Sequence, residues 1–266
     1  MVDNASTDGT AALVGAHSSE PEVLRLPRNL GYAGAMAAAL SRVDTPFMAW
    51  LNDDAAPSPS WLGTLEDAIG PAAAASARLD HPNGLPQSFG VRLTADGYGA
   101  DAASVPVFGF CGGAALLRTD VLRAVGGVPA GFFCYYEDTD TAWRLRLAGH
   151  DVVSVPDARV THRHGVSTKP GSPLFHLWNE RNRLLTLLRC APGRVAVREL
   201  ARFAAITALL PFRSRVPRTA NFRVPLRLRV LGEVAVRLPA TLRDRRDISR
   251  RSTVRRGQIW RKWTPH

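Results

Sequence analysis

The sequence predicts an α/β protein, a mixed sheet flanked by helices, with a basic helical extension at its C-terminal end. Three observations predict it. Short apolar runs such as Phe47–Leu51 and Ala114–Leu117 alternate with longer stretches of helical periodicity. The first of those runs ends in Asn52-Asp53-Asp54, and the carboxyl ends of strands are where open α/β sheets bind ligands. Charge is divided unevenly: residues 198–266 hold 18 Arg and Lys against 4 Asp and Glu, whereas residues 1–197 hold 16 against 19. With 266 residues, 45% of them hydrophobic, the chain can bury a sizeable core, which excludes general disorder. Cys111, Cys134 and Cys190 lack metal-type spacing, and their odd number argues for a reducing compartment without a disulfide framework. The polar start predicts no secretory leader, and no apolar run reaches the roughly 18 residues of a membrane span.

Residues 1–10 read as a strand end entering a polar loop. Ser6, Thr7 or Asp8 can face a ligand there or simply cap the next helix. Val23–Leu26 reads as a short strand. Arg28-Asn29-Leu30-Gly31-Tyr32-Ala33-Gly34 is a glycine-punctuated loop leading to an Ala-rich helix at about 34–42. Such glycines let backbone approach phosphate or sugar, although the spacing matches no dinucleotide or P-loop fingerprint. Phe47–Leu51 reads as a buried strand. The acids behind it either open a helix at Ser60-Trp61-Leu62 or gather a divalent cation that neutralises them. A strand near 74–79 and an irregular excursion fill residues 71–104. Gly112-Gly113 permits close approach of a substrate, or tight packing, ahead of a strand at 114–117. A short helix opens at Thr119 and ends at Gly126-Gly127.

The most informative stretch is Glu137-Asp138-Thr139-Asp140, directly after Phe132, Phe133, Tyr135 and Tyr136. A helix follows it and stops at Gly149. The acids suit a first helical turn, and Asp140 can pair with Arg144 one turn on. One of them can equally act as a general base at the mouth of a sheet. Residues 151–156 read as an edge strand closed by Pro156. His162 and His164 share a polar loop, each open to a structural role or to a metal or phosphate. Helices are expected at 174–190, 194–210, 226–238 and 248–262. Their arginines, with Trp260 and Trp263, suit an anionic membrane surface or a solvated tail. Nucleic acid is not an expected partner, because the basic charge sits only in the tail and no binding motif accompanies it.

In order along the chain, Val2-Asp3-Asn4-Ala5-Ser6-Thr7-Asp8-Gly9-Thr10, Asn29–Gly34, Leu51-Asn52-Asp53-Asp54-Ala55, Glu137–Asp140 with Arg144, and His162–Ser167 resemble the family 2 glycosyltransferases of the GT-A fold. Bacterial rhamnosyl- and galactofuranosyltransferases are the most similar in pattern. The resemblance implies a GT-A domain at 1–190 and a basic amphipathic helical tail at 191–266. It implies an inverting hexosyl- or deoxyhexosyltransferase that takes a nucleoside diphosphate sugar. The acceptor would be a glycan or a lipid-linked sugar, in cell-envelope synthesis. By the same resemblance Asp138 is the catalytic base. Asp54 and His162, the latter in preference to His164, hold Mn²⁺ or Mg²⁺. Asp3, Asn4, Ser6, Asp8, Asn29, Gly31, Asp53, Gly112, Gly113 and Glu137 face the donor. The implied location is cytoplasmic, peripheral on the inner membrane face through the tail. Members of the family carry a strand and helix ahead of the Val2-Asp3 motif, so a polypeptide extended upstream is expected to melt higher and turn over faster.

Overall fold

The computed structural model describes residues 1–163 and 169–265. His164, Gly165, Val166 and Ser167, which complete the last of the expected motifs, lie outside the described residues. Strands β1 (Val2–Asp3) and β2 (Leu24–Arg25) pair in parallel as a small ribbon, with α1 (Thr10–Gly15) between them. Helix α2 (Gly31–Leu40) then leads to β3 (Phe47–Leu51), β4 (Ala55–Pro57) and α3 (Trp61–Ile69). Trp61, Leu65 and Ile69 recur every four residues on α3 and are the positions that it buries. Next come β5 (Ala74–Asp80), β6 (Pro86–Ser88), β7 (Val91–Leu93), β8 (Gly99–Asp101) and β9 (Ala114–Arg118). Helices α4 (Thr119–Ala124) and α5 (Glu137–Leu147) precede β10 (Val152–His162). The main sheet runs β3-β9-β5-β10-β4, with β6 beside β5, while β7 and β8 form a hairpin. Its β5–β10 pair is parallel and its other pairs are antiparallel, the mixed sheet that was expected.

Several boundaries depart from expectation for identifiable reasons. Side chains of β3 alternate between its two faces, and only the face carrying Met48 and Trp50 joins the main core, so Ala49 and Leu51 are exposed. β10 continues past Pro156 and lies between β5 and β4, so it is no edge strand. The register shifts between Val155 and Arg159, and a bulge there accommodates a residue that has no N–H to donate. Helix α2 begins at Gly31, three residues early. Gly31 has φ 71°, and a Cβ on it would stand 2.2 Å from the Phe133 carbonyl oxygen, so only glycine fits.

Helices α6 (Pro173–Cys190), α7 (Gly193–Leu209), α8 (Val224–Arg251) and α9 (Arg256–Trp263) complete the chain. α8 runs unbroken through Pro239, past the expected end at 238, and the helix expected at 248–262 is divided between the last turn of α8 and α9. Buried Arg227, Val230, Val234, Thr241 and Ile248 hold it along its length, and this packing outweighs the hydrogen bond lost at proline. Val230, Val234, Ile248 and Ile259 share one apolar cluster with Trp50, Trp143 and Leu184. Trp260 and Trp263, expected at a membrane interface, instead face inward. Trp260 stacks on Trp143 with ring centres 6.0 Å apart. Trp263 meets Phe108 edge-on, with the Arg146 guanidinium 4.5 Å over its ring. Among the described residues no helix is long and apolar enough to cross a membrane.

Candidate active site

The chain before α5 is held in an unusual conformation. Phe133, Tyr135 and Tyr136 all have positive φ, at 68°, 71° and 71°. Such residues cost of order 1–3 kcal/mol each and persist only where their surroundings hold them. The fully buried Asn182 amide does so by donating to the carbonyls of Phe132, Cys134 and Tyr135, at 3.0, 2.9 and 2.8 Å. Arg181 donates to Phe132 as well, at 2.5 Å, and the Ala33 amide donates to the Phe133 carbonyl at 3.0 Å. Asn182 and Arg181 position the segment that leads into the acids of α5, and sequence reasoning missed them. The available signal was Asn179-Glu180-Arg181-Asn182-Arg183, a charged run within an otherwise amphipathic helix.

This frame sets the two acids at the start of α5. Asp138 accepts the Gly112 amide at 3.0 Å through Oδ2, and the Thr139 amide and hydroxyl at 2.5 and 3.0 Å through Oδ1. A Cβ on Gly112 would sit 3.3 Å from Asp138 Oδ2, so the glycine keeps the approach open. Gly112 is braced from α2, where the Tyr32 hydroxyl donates to its carbonyl at 2.6 Å, a second contact that the sequence did not disclose. Burial raises the Asp138 pKa, opposed by hydrogen bonds from Gly112 and Thr139. Burial, and then the charge of Asp138, push the Glu137 carboxyl from 4.5 up to about 8. The folded chain therefore holds a proton that the unfolded chain releases near pH 4.5. Its stabilising contribution is full below that pH and is lost as pH rises to about 8. Glu137→Gln, which mimics the protonated acid, should thus melt progressively higher than the parent between those limits, by on the order of a few kcal/mol at the alkaline end. Melting curves across the range test this; a constant difference would refute it.

Asn52, Asp53 and Asp54 follow β3. The Asn52 amide donates to the Gly113 carbonyl at 3.0 Å, so the Gly112-Gly113 pair joins this acidic turn to Asp138. Asp54 Oδ1 lies 3.1 Å from Nε2 of His162 at the end of β10, and His162 Nδ1 is 3.1 Å from Gln87 Oε1. Antiparallel pairing of β10 with β4 sets His162 opposite Ala55, next to Asp54. Among the described residues no three His, Cys, Asp or Glu side chains converge as a metal cage. The Asp54–His162 pair nevertheless fits Mn²⁺ or Mg²⁺, which characteristically take one or two protein ligands and complete their shell with phosphate oxygens and water. Asp53 is exposed.

The β1 loop is arranged around its own backbone. Asp3, 5% exposed, accepts the Ser6 amide at 2.8 Å, a bond that lowers its pKa, and lies 3.5 Å from Arg25. Asn4 accepts the Leu30 amide at 2.8 Å and donates to Asn29 Oδ1 and the Gly31 carbonyl, both at 3.1 Å. Asn29 also accepts the Gly31 amide at 2.8 Å. Asn4, Asn29 and Gly31 thus clamp β1 to the start of α2. The exposed Asp8 accepts from the Thr10 hydroxyl at 2.6 Å and amide at 3.1 Å, bonds that lower its pKa.

A mixed sheet flanked by helices, with acids after one strand and at a helix start, is the α/β architecture expected of the GT-A fold. Residues 1–126 match the family model for glycosyl transferase family 2. No curated protein matches the chain. Among solved structures, GalNAc-T7 with UDP, GalNAc and Mn²⁺ aligns at TM-score 0.61 and 13% identity, over 90% of this chain and 50% of that one. TarS 1–349 of S. aureus in complex with UDP-GlcNAc aligns at 0.55 and 18%, over 93% and 78%. The mannosyltransferase PcManGT from Pyrobaculum calidifontis, in complex with GDP-Man and Mn²⁺, aligns at 0.51 and 17%, over 89% and 76%. The chain spans half the length of the GalNAc-T7 chain. At these identities the likeness concerns the fold.

Proposed function

We propose that the protein transfers a sugar from a nucleoside diphosphate sugar to an acceptor hydroxyl with inversion at the anomeric carbon. The observation that carries this reading is the Gly112-Gly113 bridge. It sets the Asp138 carboxylate and the Asp54–His162 pair on either side of two residues. Asp138 takes the acceptor proton as that oxygen bonds to the anomeric carbon, and the bond from that carbon to the diphosphate breaks on the opposite side. Its raised pKa makes it a better base than an ordinary aspartate. Asp54 and His162 would hold a divalent cation, which supplies Lewis-acid neutralisation of the leaving diphosphate. Asp3, Ser6 and Asp8 would meet the base and ribose, with Asn4, Asn29 and Gly31 holding their loop in place. The reading extends to a hexose or deoxyhexose donor and a glycan or lipid-linked acceptor in envelope synthesis, at the cytoplasmic membrane face.

A thermal-shift screen of nucleotide sugars, with and without Mn²⁺, tests it. A donor present at about 100 times its Kd adds about 2.7 kcal/mol to stability. Asp54→Ala should remove the Mn²⁺-dependent part of the shift and lower donor hydrolysis by roughly two orders of magnitude. A parent that no nucleotide sugar stabilises, or an Asp54→Ala variant with undiminished hydrolysis, would count against the reading.

A further inference from the structure

Between Glu199 and Glu233 the chain carries no acid, and the α7–α8 connection, residues 210–223, is the most exposed part of that stretch. Phe212 is 86% exposed and Leu209 53%. Arg213, Arg215, Arg218 and Arg223 surround them, all exposed, and among the described residues none has an ion-pair partner. Arg181, Arg183 and Arg189 on α6 and Arg202 on α7 are each neutralised by a carboxylate, whereas Arg243, Arg246 and Arg251 on α8 have no ion-pair partner among the described residues. What sets the connection apart is Phe212, the most exposed large hydrophobic side chain among the described residues.

Helix directions show where the connection lies. α6 and α8 run the same way, since Arg181 meets Glu233 at 2.8 Å and Arg189 meets Asp244 at 3.0 Å. α7 runs back, bringing Phe203 and Thr207 against Arg227 at the start of α8. Asn221 donates to Glu180 at 3.1 Å. The end of the connection therefore lies beside the N-terminal half of α6, whose first turn carries Leu174, 49% exposed. At that same end Phe175 and Trp178 pack on Tyr135 and Phe133, with ring centres 5.2 and 4.8 Å apart. Two residues beyond Tyr135 the acids begin.

We propose that the Leu209–Arg223 segment is the face by which the protein docks on a bilayer containing anionic lipid, with Phe212 entering the acyl boundary and Arg213, Arg215 and Arg218 meeting lipid phosphates. Exposed aliphatic Leu209, three residues before the phenyl ring, favours hydrocarbon over nucleic acid, where an exposed aromatic would stack on bases but a leucine would have no partner. Docking at this end turns the Asp138 side of the molecule toward the membrane, so a lipid-linked acceptor reaches the site without leaving its leaflet. That last step rests on the transferase reading; the docking itself does not. It also moves the membrane contact away from Trp260 and Trp263, which the core uses.

Co-sedimentation with phosphatidylcholine vesicles, plain or with about 30% phosphatidylglycerol, tests the proposal. The full chain should bind only the anionic vesicles, and less as salt rises. A variant combining Arg213→Gln, Arg215→Gln and Arg218→Gln should partition roughly 100-fold more weakly, at about fivefold per charge. Phe212→Ser should lose about tenfold. Both should keep the parental melting temperature and donor hydrolysis. Hydrogen exchange on the vesicles should slow over 209–223. Binding unchanged in both variants, protection confined to α8 or α9, or displacement of the vesicles by duplex DNA of matched charge would each overturn the proposal. A parent that turns over no donor but binds vesicles as described would sink the transferase reading and support the docking face.

Discussion

Asp138→Asn is expected to lower kcat by about three orders of magnitude while leaving donor affinity within a few-fold, because positioned general bases contribute roughly 10² to 10⁴. The substitution is nearly isosteric. Its amide oxygen can still accept the Gly112 amide that Asp138 accepts at 3.0 Å, so the segment keeps its position. What is lost is the capacity to remove a proton, together with the bond that the other carboxylate oxygen accepts from the Thr139 amide. In the parent, activity should fall on the acid side at a pH above the ordinary aspartate range, since burial raises this carboxyl. Initial rates with saturating donor, alongside donor titrations by calorimetry, separate the two quantities. A kcat within tenfold of the parent would assign the base elsewhere. A parallel collapse of donor affinity would mean that Asp138 binds rather than reacts.

The largest loss of stability should come from Asp140, two positions along. It is fully buried, and its oxygens lie 2.7 Å from Arg144 Nε and 3.0 Å from Arg189 Nε. Arg144 donates onward to the carbonyls of Val125 and Gly127, at 2.8 and 2.7 Å. Arg189 also pairs with Asp244 on α8 at 3.0 Å. One carboxylate therefore fastens α5, the turn after α4, α6 and α8 together. Asp140→Asn leaves two guanidinium groups in a dry interior without their shared counter-charge. Breaking such an arrangement typically costs about 3–5 kcal/mol. For a chain of this size that lowers Tm by about 10 °C. Denaturant titration measures it, and a loss under about 1 kcal/mol would show that water or backbone can take the carboxylate's place.

The parts of the site legible in the sequence are those whose chemistry demands adjacent residues. Asp54 and Asp138 stand out because acids clustered after an apolar run are costly without a purpose. The bounds of α5 were readable from its acidic first turn and Gly149. The Asp140–Arg144 pair followed from helical spacing alone, although its burial did not. Contacts between distant segments stayed hidden. Asn182 reaches back 47 residues to Tyr135, and the Tyr32 hydroxyl forward 80 to Gly112, and no local pattern announces either. In a periodicity reading, Glu180 through Arg183 look like the polar face of an amphipathic helix, yet all four are buried because α5, α7 and α8 surround α6. Trp260 and Trp263 were misplaced for a related reason. A basic segment reads as a surface tail until the core that its apolar side covers is known.

The proton retained by Glu137 has a bearing on how an anionic ligand is received. Near neutrality the Glu137 carboxyl, pushed up to about 8 by burial, keeps its proton and adds little to the repulsion that an incoming diphosphate meets. Alkaline solution restores its charge. The donor's Michaelis constant should then climb before the turnover number changes, a separation of effects that originates in one side chain shut away from water.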